Sequence, residues 1–283
     1  MTEPTTICDR NSYDRAVTRR PVDWQRSHVI VTGGSQGIGA AVARAAAGRG
    51  AAVSILARGE QQLRATAEPI GAHWASVDVT DPKALQRAVE DVEARSGPCD
   101  VLVACAGTAL PGRFLEVPID EFESQMRLNY LGAVHAARAV LPSMVARGRG
   151  HVVLTSSTAG LIGVVGYSGY GPTKAAVHEL AHCLRYEVEP AGVTVSVLYP
   201  PDTDTPGFAV ENTRKPVETS AVSGAITPVS ADVVAAAVIA GIDKGRHHIS
   251  VDPLTRVLVR AGGIVEPVIR PFLTRTIRKS LGT

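Results

Sequence analysis

From His28 to Val251 the sequence alternates short runs of β-branched and other apolar residues with longer stretches of helical period. The strand candidates are His28–Thr32, Ala52–Ala57, His73–Val79, Asp100–Cys105, His151–Ser156, Thr194–Tyr199 and His247–Val251. Between the first six lie segments long enough for helices, among them Ile38–Arg49, Lys83–Ser96 and Phe122–Ala146. Several strands are almost continuously apolar, such as DVLVAC at Asp100–Cys105, as expected when helices cover both faces of a parallel sheet. Right-handed crossovers between successive parallel strands then predict one doubly wound α/β domain, a seven-stranded parallel sheet with helices on both faces. At 283 residues and 45% hydrophobic content, the chain fits an α/β unit of roughly 250 residues with short additions.

Those additions are visible. Residues 1–27 read as a loosely ordered N-terminal extension, 28–253 as the domain, and 254–283 as a basic C-terminal tail. Within the domain, residues 202–229 are rich in Thr, Pro and Ser and read as a long irregular segment suited to a substrate loop. The net charge of +2 and 4% aromatic content argue against nucleic acid as a partner. Four cysteines without a CxxC pair, no secretory signal pattern and no uninterrupted run of 18 apolar residues lead to the expectation of a cytoplasmic protein.

The run TGGSQGIG, Thr32–Gly39, directly follows the first strand and opens the first helix. Glycines there let the backbone turn sharply and approach a pyrophosphate at the helix N-terminus. Gly33, Ser35, Gln36, Gly37, Ile38 and Gly39 are therefore candidate dinucleotide contacts. Ala57–Arg58 ends the second strand where an acidic residue would select NAD; a guanidinium favours a ribose phosphate, hence NADP or NADPH. Asp78 and Val79, ending the third strand, would flank the adenine.

Tyr170 and Lys174, in YGPTK, stand four residues apart and share one face of a helix. A free phenol titrates near pH 10, and a neighbouring ammonium is expected to lower that value so that the phenol exchanges a proton with an alcohol or carbonyl oxygen. Ser157, thirteen residues before Tyr170, sits at the C-terminal end of the fifth strand, where open α/β sheets hold ligands.

Taken together, these motifs resemble the short-chain dehydrogenase/reductase family, over about Val29 to Val251. The resemblance implies a Rossmann fold, and Ser157, Tyr170 and Lys174 match the family's catalytic serine, tyrosine and lysine. Asn129, in LNYLG, matches its fourth catalytic residue, which holds a water in a proton relay, and Lys174 would also bind the nicotinamide ribose, beside Tyr170. The segment Cys105–Gly107 corresponds to the family's NNAG, making Ala106 and Gly107 cofactor neighbours, with Ala104 and Cys105 replacing two asparagines. Tyr167, with glycine four residues on, matches no catalytic position. After the sixth strand, Pro200 and Pro201 replace a usual Pro-Gly, and Thr203 and Thr205 are candidate nicotinamide contacts. The run PPDTDTPGF resembles the 3-ketodihydrosphingosine reductase branch, which implies NADPH-dependent reduction of a long-chain amino-ketone. Other members acting on a steroid, polyketide or similar ketone, or a non-catalytic NADPH-binding regulator, are the alternatives. Family members commonly form homodimers or homotetramers, which is the expectation here.

Two features stand outside that reading. His178-Glu179-Leu180-Ala181-His182 matches HExxH, a zinc-protease pattern, but falls on the helix carrying Tyr170 and Lys174 as part of its polar face. No metal is expected. The tail 254–283 carries six basic residues and one acid, interleaved with Val, Leu, Ile and Phe, a composition suited either to peripheral contact with anionic membrane or to packing on the domain.

Overall fold

The computed structural model describes residues 21–224 and 227–281, with 262–269 described by their backbone alone. In chain order the elements up to the fifth strand are β1 (His28–Thr32), α1 (Gly37–Ala47), β2 (Ala52–Ala57), α2 (Glu60–Ala67), β3 (His73–Ser76), α3 (Pro82–Ser96), β4 (Val101–Ala104), α4 (Ile119–Gln125), α5 (Gly132–Arg147) and β5 (Gly150–Thr155). There follow α6 (Gly171–Val188), β6 (Val193–Tyr199), β7 (Thr203–Asp204), α7 (Pro206–Asn212), α8 (Val217–Ser223), β8 (Val229–Ser230), α9 (Ala231–Asp243), β9 (His248–Ser250) and α10 (Pro253–Ser280). Seven parallel strands pair in the order β3-β2-β1-β4-β5-β6-β9, so the expected doubly wound sheet is present. Its order reverses between β1 and β4, which opens a crevice beyond their carboxyl ends.

Strand alternation divides the core. Ile30, Leu102, Val152 and Val195 meet Leu85, Val140 and Val177 of α3, α5 and α6 on one face. Val29, Val31, Val101 and Val153 meet Val42, Leu63 and Val238 of α1, α2 and α9 on the other. Burial on both faces explains why these strands lack a polar alternation. Local chemistry fixes the helix starts: the Asp81 carboxylate accepts the Lys83 and Ala84 amides before α3, whose first residue is Pro82.

Three expectations are corrected. β3 ends at Ser76 rather than Val79, because Asp78 Oδ1 accepts both the amide and the hydroxyl of Thr80 and turns the chain out of the ladder. Of the N-terminal extension, residues 1–20 lie outside the described residues, but 21–27 are not loose. Trp24 is buried and its indole donates to Asp243 Oδ1 at 2.7 Å. Residues 202–229 are not irregular: they contain α7 and α8, and β7 and β8 pair in parallel where the excursion leaves and returns. The tail is helical as α10, with a non-helical break at Ala261, and it packs on α8; residues 282–283 lie outside the described residues.

Candidate active site

Glycines set the close approaches at the crevice. Gly33 has φ +69°, and a Cβ there would lie 2.7 Å from the Ala106 amide nitrogen, so the first turn and the segment after β4 touch backbone to backbone. Gly37 has φ +57° and faces Thr205, whose Cγ2 would be 3.1 Å from an added Cβ. The TGGSQGIG turn thus lies between Ala106 and Thr205 at the N-terminus of α1, an arrangement fit for the pyrophosphate of a dinucleotide. Ser35 is held by its carbonyl, which accepts the Thr66 hydroxyl at 2.9 Å. Gln36 is exposed before α1, and Ile38 packs partly on the core.

Arg58 is exposed just beyond β2; its carbonyl accepts the Ser76 hydroxyl, and its guanidinium has no ion pair among the described residues. Asp78 is occupied by its own turn, while Val79 is buried against Gly132. Thr203 is buried and donates to the Pro201 carbonyl at 2.7 Å. Thr205 instead caps α7 by accepting the Phe208 amide at 3.1 Å and keeps its methyl toward the glycine turn. Pro200 and Pro201 carry the chain from β6 into this excursion.

At the chemical end, β5 delivers Ser157 and α6 delivers Tyr170 and Lys174. A Cβ at Gly160 would lie 2.7 Å from the Lys174 carbonyl carbon, and one at Gly171 2.9 Å from the Ala159 oxygen. Those two glycines therefore let the turn after Ser157 lie on the first turn of α6. Ser156 Oγ ties the same junction, donating to the Lys174 carbonyl at 2.8 Å. Ser157 is buried, its Oγ accepts the Ala159 amide at 3.2 Å, and its hydroxyl stands close enough to the Tyr170 phenol to favour the phenolate. Lys174 Nζ is buried, donates to the Thr155 carbonyl at 2.9 Å and lies 5.7 Å from the Tyr170 ring centroid.

Asn129 lies in a π-helical turn, Met126–Leu131, between α4 and α5. Its Oδ1 accepts the Thr108 amide at 2.8 Å, while Nδ2 donates to the Thr108 carbonyl at 2.9 Å and to Thr173 Oγ1 at 3.0 Å. A Cβ at Gly107 would sit 2.9 Å from Asn129 Oδ1 and 3.3 Å from Lys174 Nζ. One glycine thus marks where the two side chains converge. Cys105, in place of asparagine, sets its thiol 3.5 Å from the Thr155 hydroxyl.

The electrostatics differ from the expectation. Burial moves the Lys174 ammonium down to about 8. The Tyr170 phenol is held above its ordinary value, not below it: burial dominates, the Ser157 hydrogen bond pulls the other way, and the charges of Glu211 and Asp202 add to the rise. Sequence reasoning missed these two carboxylates and dismissed Tyr167. The Tyr167 ring lies 5.7 Å from that of Tyr170, and its hydroxyl donates to Glu211, which also meets Lys215 Nζ at 3.3 Å. Nothing local in sequence links residues 44 apart; the only signal was Tyr167 standing one turn before Tyr170.

Comparison with known proteins agrees with this geometry. Residues 27–216 match the family model for short chain dehydrogenases. The chain is 41% identical to a 3-dehydrosphinganine reductase of Danio rerio over 217 residues, 73% of this chain and 65% of the relative. It is 38% identical to a 3-ketodihydrosphingosine reductase of Bos taurus over 245 residues, 83% of this chain and 74% of the relative. A short-chain dehydrogenase structure from Streptomyces avermitilis superposes with a TM-score of 0.74 at 29% identity, covering 90% of this chain and 98% of that one. Fold, crevice and family model converge: the chain belongs to the short chain dehydrogenase family of oxidoreductases.

Proposed function

We propose that this chain is an NADPH-dependent reductase of the ketone of a long-chain 3-keto lipid, with 3-ketodihydrosphingosine as the substrate. The observation that carries the reading is the junction of β5 and α6, where Ser157, Tyr170 and Lys174 meet beside Gly107 and Asn129. The relatives named for that reaction support the choice of substrate. Gly33–Gly39, Ala106, Gly107 and Thr205 would hold the dinucleotide, with Arg58 on the ribose phosphate. When bound, the dinucleotide supplies the hydride to the carbonyl carbon. Ser157 donates a hydrogen bond to the carbonyl oxygen and aligns it on Tyr170, which hands over its proton. Lys174 binds the nicotinamide ribose and stabilises the phenolate left behind, and Asn129 positions a water that returns the proton.

The substrate has an ammonium beside its ketone, and Asp202 and Glu211 supply nearby negative charge. Their field, which adds to the burial that holds the phenol up, would be offset when that ammonium arrives, easing proton release from Tyr170. For the alkyl chain, a cavity of about 160 Å³ lies between Val164 and Val165, Val222 of α8, and Leu273 and Ile277 of α10, with Arg270 and Thr274 also in its lining. The α10 surface bearing Arg270, Arg275, Arg278 and Lys279 beside exposed Phe272 suits peripheral contact with an anionic leaflet, at the cytoplasmic face. No helix among the described residues is long and apolar enough to cross a membrane. A homodimer or homotetramer is the assembly proposed.

The test is NADPH oxidation against a panel of 3-keto sphingoid bases, their deaminated analogues, steroids and short ketones. The expected result is preference for the amino-ketone, lost selectively in Asp202→Asn through a raised KM. Equal rates on the deaminated analogue would overturn the substrate assignment.

A further inference from the structure

The HExxH pattern is not a protease site. Glu179 is exposed and accepts from Cys183 Sγ, and His178 Nδ1 is 2.7 Å from the Tyr199 hydroxyl. Its second histidine takes part in something else. His182 on α6 meets His247, just before β9, and His248, its first residue, and one ring nitrogen from each of the three lies within 4.8 Å of the others. The ring centroids of His182 and His247 are 4.7 Å apart, those of His247 and His248 4.5 Å.

Hydrogen bonding fixes how these rings point. His247 Nδ1 lies 2.8 Å from the Val195 carbonyl, which only accepts, so Nδ1 carries the proton and Nε2 presents a lone pair. That Nε2 is buried with no partner, and so is His182 Nε2. His248 Nδ1 lies 3.2 Å from the Tyr199 hydroxyl, itself fully buried and shared with His178. The Tyr199 hydroxyl has one proton to give; with that proton on His178 Nδ1, His248 Nδ1 donates to the hydroxyl oxygen and its Nε2 is left available, the tautomer a bound ion requires. Buried polar atoms are almost always satisfied, and imidazoles whose outer N–H is held by a carbonyl or hydroxyl are the usual surroundings of a bound divalent ion.

We propose that His182, His247 and His248 form a zinc site that clamps α6 to β9, with a fourth position left for water. Zinc–nitrogen bonds of about 2.0–2.1 Å require the rings to draw together by roughly an ångström, within reach of side-chain rotation. The site uses no residue of the reductase crevice. Its geometric role is to join the helix that carries Tyr170 and Lys174 to the strand that leads into α10.

The test uses the untagged full chain, stripped with chelator, dialysed, and titrated with zinc chloride by calorimetry near neutral pH. The expected result is one zinc per chain and a raised Tm. His182→Gln/His248→Gln should weaken binding at least about tenfold, and Tyr199→Phe, which keeps all three ligands, about tenfold to a hundredfold. Metal-free circular dichroism and Tm of each variant separate lost ligands from lost fold, and Cys183→Ser should leave binding unchanged. Absence of stoichiometric zinc, retention of affinity in the folded double variant, or equal loss in Cys183→Ser would each overturn the assignment.

Discussion

Lys174 is an ammonium withdrawn from water with one carbonyl to donate to, and the cost of that burial lowers its affinity for the proton. With a value of about 8 in the folded chain against 10.5 for an unperturbed lysine, its charge is lost as pH rises through about 8. Tyr170 is shifted the other way, so the alkaline limb of kcat/KM for ketone reduction belongs to Lys174: the rate should fall above about pH 8. Stability should move oppositely. The unfolded chain holds that proton more tightly, so relative to Lys174→Met the wild type gains stability as pH rises from about 8 to 10.5; denaturant titrations across that range check the sign. Tyr170→Phe should abolish turnover while NADPH binding, followed by fluorescence, persists. The Ser157, Tyr170 and Lys174 trio was readable from spacing because two of its members share one helix and the third ends the preceding strand. Glu211 and Asp202 were not readable, because their influence on the phenol exists only once the excursion after β6 folds back.

Among elements, the segment after β4 is the most tightly specified. Gly107→Ala would press a methyl onto Asn129 Oδ1 and Lys174 Nζ. The expected outcome is a loss of kcat larger than tenfold with little change in Tm, since the polar side chains can give way where a backbone could not. Gly33→Ala meets backbone atoms of Cys105 and Ala106 at a positive φ, and should lower stability by about 1–3 kcal/mol in urea titrations. The five central strands were legible as apolar runs because both their faces are buried. β3 was read too long because the Asp78 carboxylate diverts the chain, a side-chain effect that hydrophobic pattern does not report. The Trp24 turn went unread for a related reason: its anchor, Asp243, is 219 residues away.

At the scale of the molecule, the proposed preference for NADPH rests on the exposed Arg58 just beyond β2. Arg58→Asp should shift the preference from NADPH toward NADH by at least about tenfold in kcat/KM, since removing the guanidinium forfeits the phosphate contact and the carboxylate repels it. Truncation after Pro253 removes α10 from α8 and should both abolish flotation with anionic vesicles and raise KM for long-chain substrates more than for short ones. The basic composition of that segment was legible, but its folding onto α8 was not, because composition alone cannot distinguish a membrane-facing helix from a docked one. The pairing of Thr203–Asp204 with Val229–Ser230 has a further consequence. The chain departs and rejoins the domain at adjacent points, so everything between is a cassette whose ends already meet. Grafting the corresponding stretch from a family member of different selectivity should exchange the preferred ketone while leaving the sheet and its nucleotide crevice undisturbed, which makes this enzyme a natural host for loop-swap chimaeras.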